Sequence, residues 1–417
     1  MGSKRTRAAG GTTRVALATA MVGGALFVLL AGLLVPWHPV PGGTPPPVPA
    51  GSVFTAAQID RAESFSLWAR VWSWSGLAIS LAMAVWLGFS RRVRAWAERW
   101  RGPWWLQVVG LVAVVTTLGQ LAALPSAVGL QRLYLAHGLA TDSWSAWGTD
   151  LVKAAGVTIV TTALGVLFVL GCARRWDRTW PAVAGGGLAA LVVLGSFVYP
   201  VLIEPMFNQF HPLPDGALRT SILRLADEEG VHVDDVLVSD ASRRTTELNA
   251  YVSGFGSTRR VVLYDTVVDS LPRDQILSIV AHELGHAKHD DVATGTALGA
   301  AGALFAVGLL GSLALALERR GWATVGSPAG VPTVLAMVAV GTFLALPVQN
   351  AVSRKIETRA DVTALEVTRA PAPFITMQRE LALRSLSDPT PPALSQWWFG
   401  SHPTVLERVA IARHLGG

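Results

Sequence analysis

The sequence predicts an α-helical multi-pass membrane protein of about seven transmembrane helices, joined to a small α+β domain that the last two helices split in two. Three observations carry this expectation. Seven runs, at residues 15–36, 71–89, 103–130, 154–173, 179–203, 292–317 and 331–352, contain no Asp, Glu, Lys or Arg. Apolar runs of about 18 or more residues are long enough to cross the hydrocarbon of a bilayer. Hydrophobic residues are 51% of the 417-residue chain and charged residues only 15%, against roughly 25% charge in a soluble domain. Finally, mixed charge and ordinary helix and strand periodicity begin abruptly at Glu204.

Taken in order, Lys4, Arg5 and Arg7 precede the first apolar run. That run exceeds the roughly 7–15 residues of a signal-peptide core and no clear small-residue cleavage site follows, so it reads as a retained span. Pro36–Gly51 is rich in Pro and Gly and reads as an extended, solvated linker without a packed core. Five spans fill the chain to residue 203, with residues 125–150 connecting the third to the fourth at the membrane interface. The first piece of the α+β domain covers residues 204–291. Residues 215–229 have apolar positions at helical spacing, 236–239 and 260–265 read as strands, and Gly254–Thr258 supplies turn residues. Leu271-Pro272 opens a further helix, since proline suits the first helical turn. Residues 292–352 hold two more spans, and residues 353–417 are the second, polar and helix-rich piece.

A net charge of +6 raises the question of a nucleic-acid partner, and its placement argues for no nucleic acid. Basic residues cluster at the ends of apolar runs, at Arg91, Arg92, Arg94, Arg99 and Arg101 and at Arg174, Arg175 and Arg178. Trp96, Trp100, Trp104, Trp105, Trp176 and Trp180 lie at the same borders. This is the pattern of membrane flanks in contact with lipid headgroups, as expected for an integral multi-pass protein of the cell membrane. If the N-terminus is cytoplasmic, the basic loops, including Arg319-Arg320, alternate as cytoplasmic loops and residues 204–291 lie outside. The single cysteine, Cys172, excludes both an intrachain disulfide and a cysteine-rich zinc site.

The chemistry resides in Ala281-His282-Glu283-Leu284-Gly285-His286. Two His at i and i+4 stand on one helical face and can converge on one Zn²⁺. Glu283 lies where its carboxylate can take a proton from a water that the metal acidifies. Such a site needs a third protein ligand and an open fourth position. His289 is near in sequence, but seven residues of helix rise about 10 Å, too far to share one ion with His282. The pattern HExxHxxGxxH also fails, because His289 and Val292 occupy its Gly and last His positions. Glu357, just beyond the last span, is the better candidate, with Glu366 and Glu380 in competition. Asp361, one turn after Glu357, can accept a hydrogen bond from the far nitrogen of a ligand His and fix its tautomer. A transporter or sensor would carry charges inside the spans, and the seven runs carry none.

With these residues the sequence resembles the type I CAAX prenyl endopeptidases, integral-membrane zinc metallopeptidases of the gluzincin type. The resemblance covers residues 200–417 closely and the earlier spans in layout. It rests on EPMFNQFHPLPDG at 204–216, LNAYVSGFG at 248–256, RVVLYDT at 260–266, AHELGH at 281–286, SRKIETRAD at 353–361 and SHPTVLER at 401–408. It implies a zincin-like metalloprotease domain and a zinc metalloendopeptidase activity with one Zn²⁺ per chain. His282, His286 and Glu357 would be the metal ligands, Glu283 the base, and Asp361 the carboxylate behind a ligand His. The resemblance further implies that Asn249 lies on an edge strand lining the substrate, that His402 faces the scissile carbonyl and that Arg408 supports substrate binding. An unpaired strand edge holds an extended peptide through main-chain hydrogen bonds, so the expected partner is a peptide or protein substrate bound as a strand. In this family the helices enclose a chamber within the membrane, and eukaryotic members present the domain to the cytosol, opposite to the side indicated by the basic loops. A membrane-protein quality-control peptidase acting on non-prenylated substrates is the alternative reading of the same site.

Overall fold

A computed structural model describes residues 2–254 and 256–416; Phe255, within the 248–256 segment, lies outside the described residues, as do the side chains of Lys4, Arg5 and Arg7. Seven helices are long and apolar enough to cross a membrane. These are α1 (Gly2–Leu34), α2 (Ala56–Phe89), α4 (Trp104–His137), α5 (Trp144–Arg175), α6 (Trp180–Val198), α10 (Asp291–Arg319) and α11 (Val331–Thr368). A short α3 (Arg91–Ala97) follows α2. Large apolar side chains such as Val28, Leu33, Leu121, Val152 and Leu164 point outward, the arrangement of a surface solvated by lipid.

Small residues set the packing. Helix α1 lies along α10, and the backbones touch where a Cβ on Gly23 would meet Phe305 N at 2.3 Å and one on Gly308 would meet Ala20 N at 2.2 Å. With no hydrophobic drive between helices in lipid, such close backbone approach supplies much of the association. Helix α2 packs on α4 and α11, and Thr333 Oγ1 donates to Gly88 O at 2.7 Å where α11 crosses it.

The ends of the bundle differ. Arg94 donates to Gly321 O at 2.8 Å and Arg174 to Gly326 O at 3.0 Å, so the loops after α2, α5 and α10 meet at one end with most of the loop arginines. At the other end, segments 36–55 and 138–143 contain no Lys or Arg and touch the sheet domain. Thr141 N donates to Arg244 O at 3.1 Å and Thr246 N to Leu139 O at 3.2 Å.

Two expectations are corrected here. Residues 125–150 are not an interfacial connection: α4 continues through Pro125 to His137 and α5 starts at Trp144. Proline removes one backbone donor and kinks a helix without necessarily ending it. The Pro-rich segment is also anchored at points, although most of residues 36–51 are exposed. Val40 and Phe54 are buried, Val48 N donates to Leu406 O at 3.4 Å, and Arg379 Nε donates to Val53 O at 3.0 Å. It straps the C-terminal helices because its few apolar side chains find grooves there.

The sheet domain contains β1 (Phe210–Pro212), β2 (Asp235–Ser239), β3 (Ala250–Ser253) and β4 (Arg260–Tyr264) in the order β1-β2-β4-β3. Strands β2 and β4 are parallel, with Leu237 opposite Val262; the other pairs are antiparallel. Helix α7 (Ala217–Glu229) and α8 (Asp265–Ser270) precede α9 (Arg273–Lys288), the helix of the HExxH segment. After α11 come α12 (Pro371–Ser385), α13 (Ala393–Phe399) and α14 (Val405–Gly416). One core joins both pieces of the domain: Ile222, Val236, Leu263 and Leu284 from the first, Phe374, Met377 and Ile411 from the second. The chain that leaves this core through α10 returns to it within α11, which stays helical past residue 352 because no proline or glycine interrupts residues 348–368.

Candidate active site

The site forms where α9 crosses the far half of α11. Gly285 allows the crossing: a Cβ there would meet Thr363 Cβ at 3.3 Å and Ala360 Cα at 3.4 Å. The close approach brings Glu357 against the two histidines of α9. His282 Nε2 and His286 Nε2 are 3.2 Å apart. Glu357 Oε2 lies 3.3 Å from His282 Nε2, and Glu357 Oε1 lies 3.6 Å from His286 Nε2. Ligand bonds of about 2.0–2.1 Å in a tetrahedral site imply ligand-to-ligand edges of about 3.3–3.4 Å. These three groups therefore match the donor set of such an ion, and they are the one trio of this kind among the described residues. Glu357 Oε2 is buried without a hydrogen-bond partner, an orphaned acceptor that a cation would satisfy.

The far nitrogens of both histidines are held. Asp361, with no exposed surface, lies 2.9 Å from His282 Nδ1, as the sequence spacing suggests. Arg408 Nε donates to Asp361 Oδ2 at 2.8 Å, and its Nη2 pairs with Oδ1. Arg408, expected toward substrate, thus stands behind His282 with its guanidinium committed to a carboxylate. His286 Nδ1 lies 2.9 Å from Asp291 Oδ2, and Arg359 pairs with Asp291 Oδ1. Neither Asp291 nor Arg359 was singled out by sequence; the signal available was an acid following the motif and an arginine between Glu357 and Asp361. His289 points away and bonds Thr363 Oγ1 at 3.0 Å.

Burial opposes charge on His282, yet the neighbouring carboxylates of Asp361 and Glu357 outweigh it and raise its pKa to about 10. The same negative field favours a metal cation. Burial raises the Glu283 carboxyl above its ordinary value, with His282 and His286 partly offsetting it. The Glu283 carboxylate therefore sits nearer the range in which a carboxyl both takes and returns a proton.

His402 reaches the cluster from the turn after α13, with Nε2 3.3 Å from Glu357 Oε2 and its side chain 57% exposed. Ser401 Oγ lies 2.9 Å from His402 Nδ1. When the hydroxyl donates there, the proton of the neutral ring resides on Nε2 and faces the site. Partial burial lowers the His402 pKa and favours that neutral form, against the pull of Glu357. Asn249 is exposed beside the start of β3, and its carbonyl accepts from Tyr264 N at 3.0 Å. Strand β3 pairs with β4 on one side; among the described residues, no strand pairs with its other side. Gly254 ends it with φ +88°, where a Cβ would meet Thr258 O at 2.2 Å, so glycine is required at this turn.

Two histidines on one helix and a glutamate from a later one, set against seven membrane-length helices, define an integral-membrane metallopeptidase. The comparisons with known proteins place it further. Residues 212–415 match the profile of peptidase family M48, and residues 54–209 match that of the CAAX prenyl protease N-terminal region, described as five membrane helices. The chain belongs to peptidase family M48 and is an integral multi-pass membrane metalloendopeptidase. It is 31% identical over 331 residues to the uncharacterized metalloprotease YhfN of Bacillus subtilis, covering 78% of each chain. It is 34% identical over 179 residues to CAAX prenyl protease 1 of Saccharomyces cerevisiae, covering 40% of this chain and 39% of the yeast protein. The crystal structure of S. mikatae Ste24p shares the fold, with a TM-score of 0.76 at 20% identity over 97% of this chain and 98% of that one. The family implies a metal cofactor.

Proposed function

We propose that this chain is a zinc endopeptidase whose single Zn²⁺ is held by His282, His286 and Glu357. The observation that carries the reading is the convergence of the three groups: the two Nε2 atoms are 3.2 Å apart, and each faces one oxygen of the Glu357 carboxylate, at 3.3 and 3.6 Å, a spacing suited to three ligands of a tetrahedral ion. When bound, zinc supplies Lewis acidity to the substrate carbonyl and acidifies a water. Glu283 takes the proton of that water and later returns it to the leaving amine. His402 Nε2–H faces the scissile carbonyl and donates to the oxygen as negative charge develops there. Asp361 and Asp291 keep the two histidines in the tautomer that presents Nε2 to the metal.

The peptide adds as a strand along the open side of β3, from Asn249 to Gly254, so that main-chain hydrogen bonds hold it extended. The relatives named CAAX prenyl protease 1 suggest proteins ending in a CAAX sequence as the substrate class. Most loop arginines gather at the end of the bundle away from the site, which favours an outward-facing site under the positive-inside rule.

The test is metal content together with turnover. Purified chain should hold about one Zn²⁺. Glu283→Gln should keep the metal and lose about 10²- to 10⁴-fold in kcat; undiminished turnover would refute the assignment. Glu357→Ala should lose zinc, and normal content would require another ligand. Comparing a farnesylated CAAX peptide with its unmodified form separates prenyl-dependent processing from quality-control proteolysis.

A further inference from the structure

Helix α11 presents Asn350, Arg354, Glu357 and Asp361 at i, i+4, i+7 and i+11, which is one helical face. The last two serve the metal cluster. The first two reach a different target, the segment from α13 to the turn that carries His402. Asn350 Nδ2 donates to Trp398 O. Arg354 Nη1 donates to Gly400 O and, at 3.2 Å, to Gln396 O. Both carbonyls belong to the C-terminal end of α13, where Gln396 O also accepts from Gly400 N at 3.0 Å, and a guanidinium suits the partial negative charge of a helix C-terminus. The turn is fastened again on either side of His402. Gln396 Nε2 donates to His402 O at 2.7 Å. Thr404 N and Oγ1 both donate to Glu407 Oε2, at 2.6 and 2.9 Å, while Glu407 N donates to Thr404 Oγ1 at 3.3 Å, a capping box that starts α14.

We propose that Arg354 is a positioning residue for His402, acting through the α13 carbonyls. The inference rests on the reading of His402 as the donor to the scissile carbonyl. Arg354 stands three residues before Glu357 on the same rigid helix. The metal ligand and the anchor of the carbonyl-facing histidine therefore move as one body, and the distance between His402 Nε2 and the cluster is set by a single element. Nothing else claims the Arg354 Nη1: among the described residues the guanidinium makes no ion pair with a carboxylate, and its hydrogen bonds go to the two carbonyls. Its Nη1 is engaged with the turn before any substrate arrives.

The experiment uses the full-length chain in lipid vesicles with an internally quenched CAAX peptide, in whichever form, farnesylated or unmodified, the wild-type chain cleaves. Arg354→Met should keep wild-type zinc content, lower kcat about 10- to 100-fold, the scale of a misplaced reacting group, and change KM less than about threefold. Arg354→Lys should recover part of the loss, since an ammonium can still serve one carbonyl. Gln396→Leu, which removes a different tether of the same turn, should act in the same direction and covers the case in which Arg354→Met does not fold. Adding His402→Ala to Arg354→Met should cause no loss beyond that of His402→Ala alone. Losses that multiply, zinc that falls with Arg354→Met, or a wild-type kcat in both turn variants would overturn the inference. A wild-type kcat in His402→Ala would instead overturn the reading of His402 beneath it.

Discussion

His282 and His286 stand one turn apart on α9, yet different regions of the molecule hold them. His282 is backed by Asp361, fully buried, and by Arg408 from the C-terminal helix, so its support comes from the core of the sheet domain. His286 is backed by Asp291 and Arg359, and Asp291 is the first residue of a membrane helix. The same chemical device, imidazole to carboxylate to guanidinium, appears twice: α11 supplies the carboxylate Asp361 to one and the guanidinium Arg359 to the other, while Arg408 comes from α14 and Asp291 from α10. The lesson is that the metal cluster is a junction. In the proposed metal site, His282 is fastened through Arg408 of the sheet-domain core and His286 through Asp291, the first residue of a transmembrane helix, with α11 behind both.

Both sides can be disturbed together. Gly285→Leu forces a side chain into the crossing with Ala360 and Thr363 and should pull both histidines off Glu357. Zinc should be lost and peptidase activity should fall by more than about 10²-fold, read by metal analysis and turnover on the same sample. Asp361→Asn attacks the His282 side alone. Zinc affinity should drop about 10- to 100-fold, and the buried Arg408 left without its carboxylate should cost about 3–5 kcal/mol of stability, visible in chelator competition and thermal melting. Asp291→Asn attacks the His286 side, where His286 and Arg359 are more exposed than His282 and Arg408. The loss of zinc affinity should be about 10-fold with a smaller change in melting. Equal effects of the two Asn variants would show that burial does not distinguish the two sides.

The smallest effect tests the core behind α9. Glu229 ends α7 with both carboxylate oxygens buried and unpartnered among the described residues. Burial raises its pKa to about 8 from 4.5, against the opposing pull of Lys288 and His282. The folded state therefore holds a proton that the unfolded chain releases, and this stability is lost as pH rises from about 4.5 through 8. Glu229→Gln should raise the apparent melting temperature by a few degrees at pH 8.5, from about 1–3 kcal/mol of relieved desolvation, and leave it nearly unchanged at pH 4.5.

Much of this organisation is legible in the sequence, and the reasons differ by region. The seven spans are visible because lipid forbids charge over whole runs. His282, Glu283 and His286 are visible because a helical face fixes their spacing, and Glu357 with Asp361 for the same reason. Asp291 escapes that logic. Five residues after His286 on a continuous helix it would stand about 140° around from it. Asp290, in the left-handed region at φ +50°, stands between the end of α9 and the start of α10 and turns the chain so that Asp291 comes back to the ring. A backbone reversal at a non-glycine residue leaves little trace in a single sequence. The strap at residues 36–55 escapes for another reason: an extended Pro-rich chain has no period that reveals which of its side chains are buried. His402 and Asn249 sit in a turn and beside an edge strand, where only the family resemblance distinguishes them from ordinary polar residues.

Helix α11 runs from the membrane into the sheet domain. Its 38 residues span about 57 Å, nearly twice the roughly 30 Å of bilayer hydrocarbon, and it carries Glu357 on the part that leaves the lipid. Pro347 interrupts its hydrogen-bond ladder ten residues earlier, about 15 Å below the ligand. A bend of only about 4° at that point displaces Glu357 by about 1 Å, enough to open one edge of the metal cluster. For the proposed zinc site, the bilayer around α11 is thus a mechanical boundary condition on the position of one ligand.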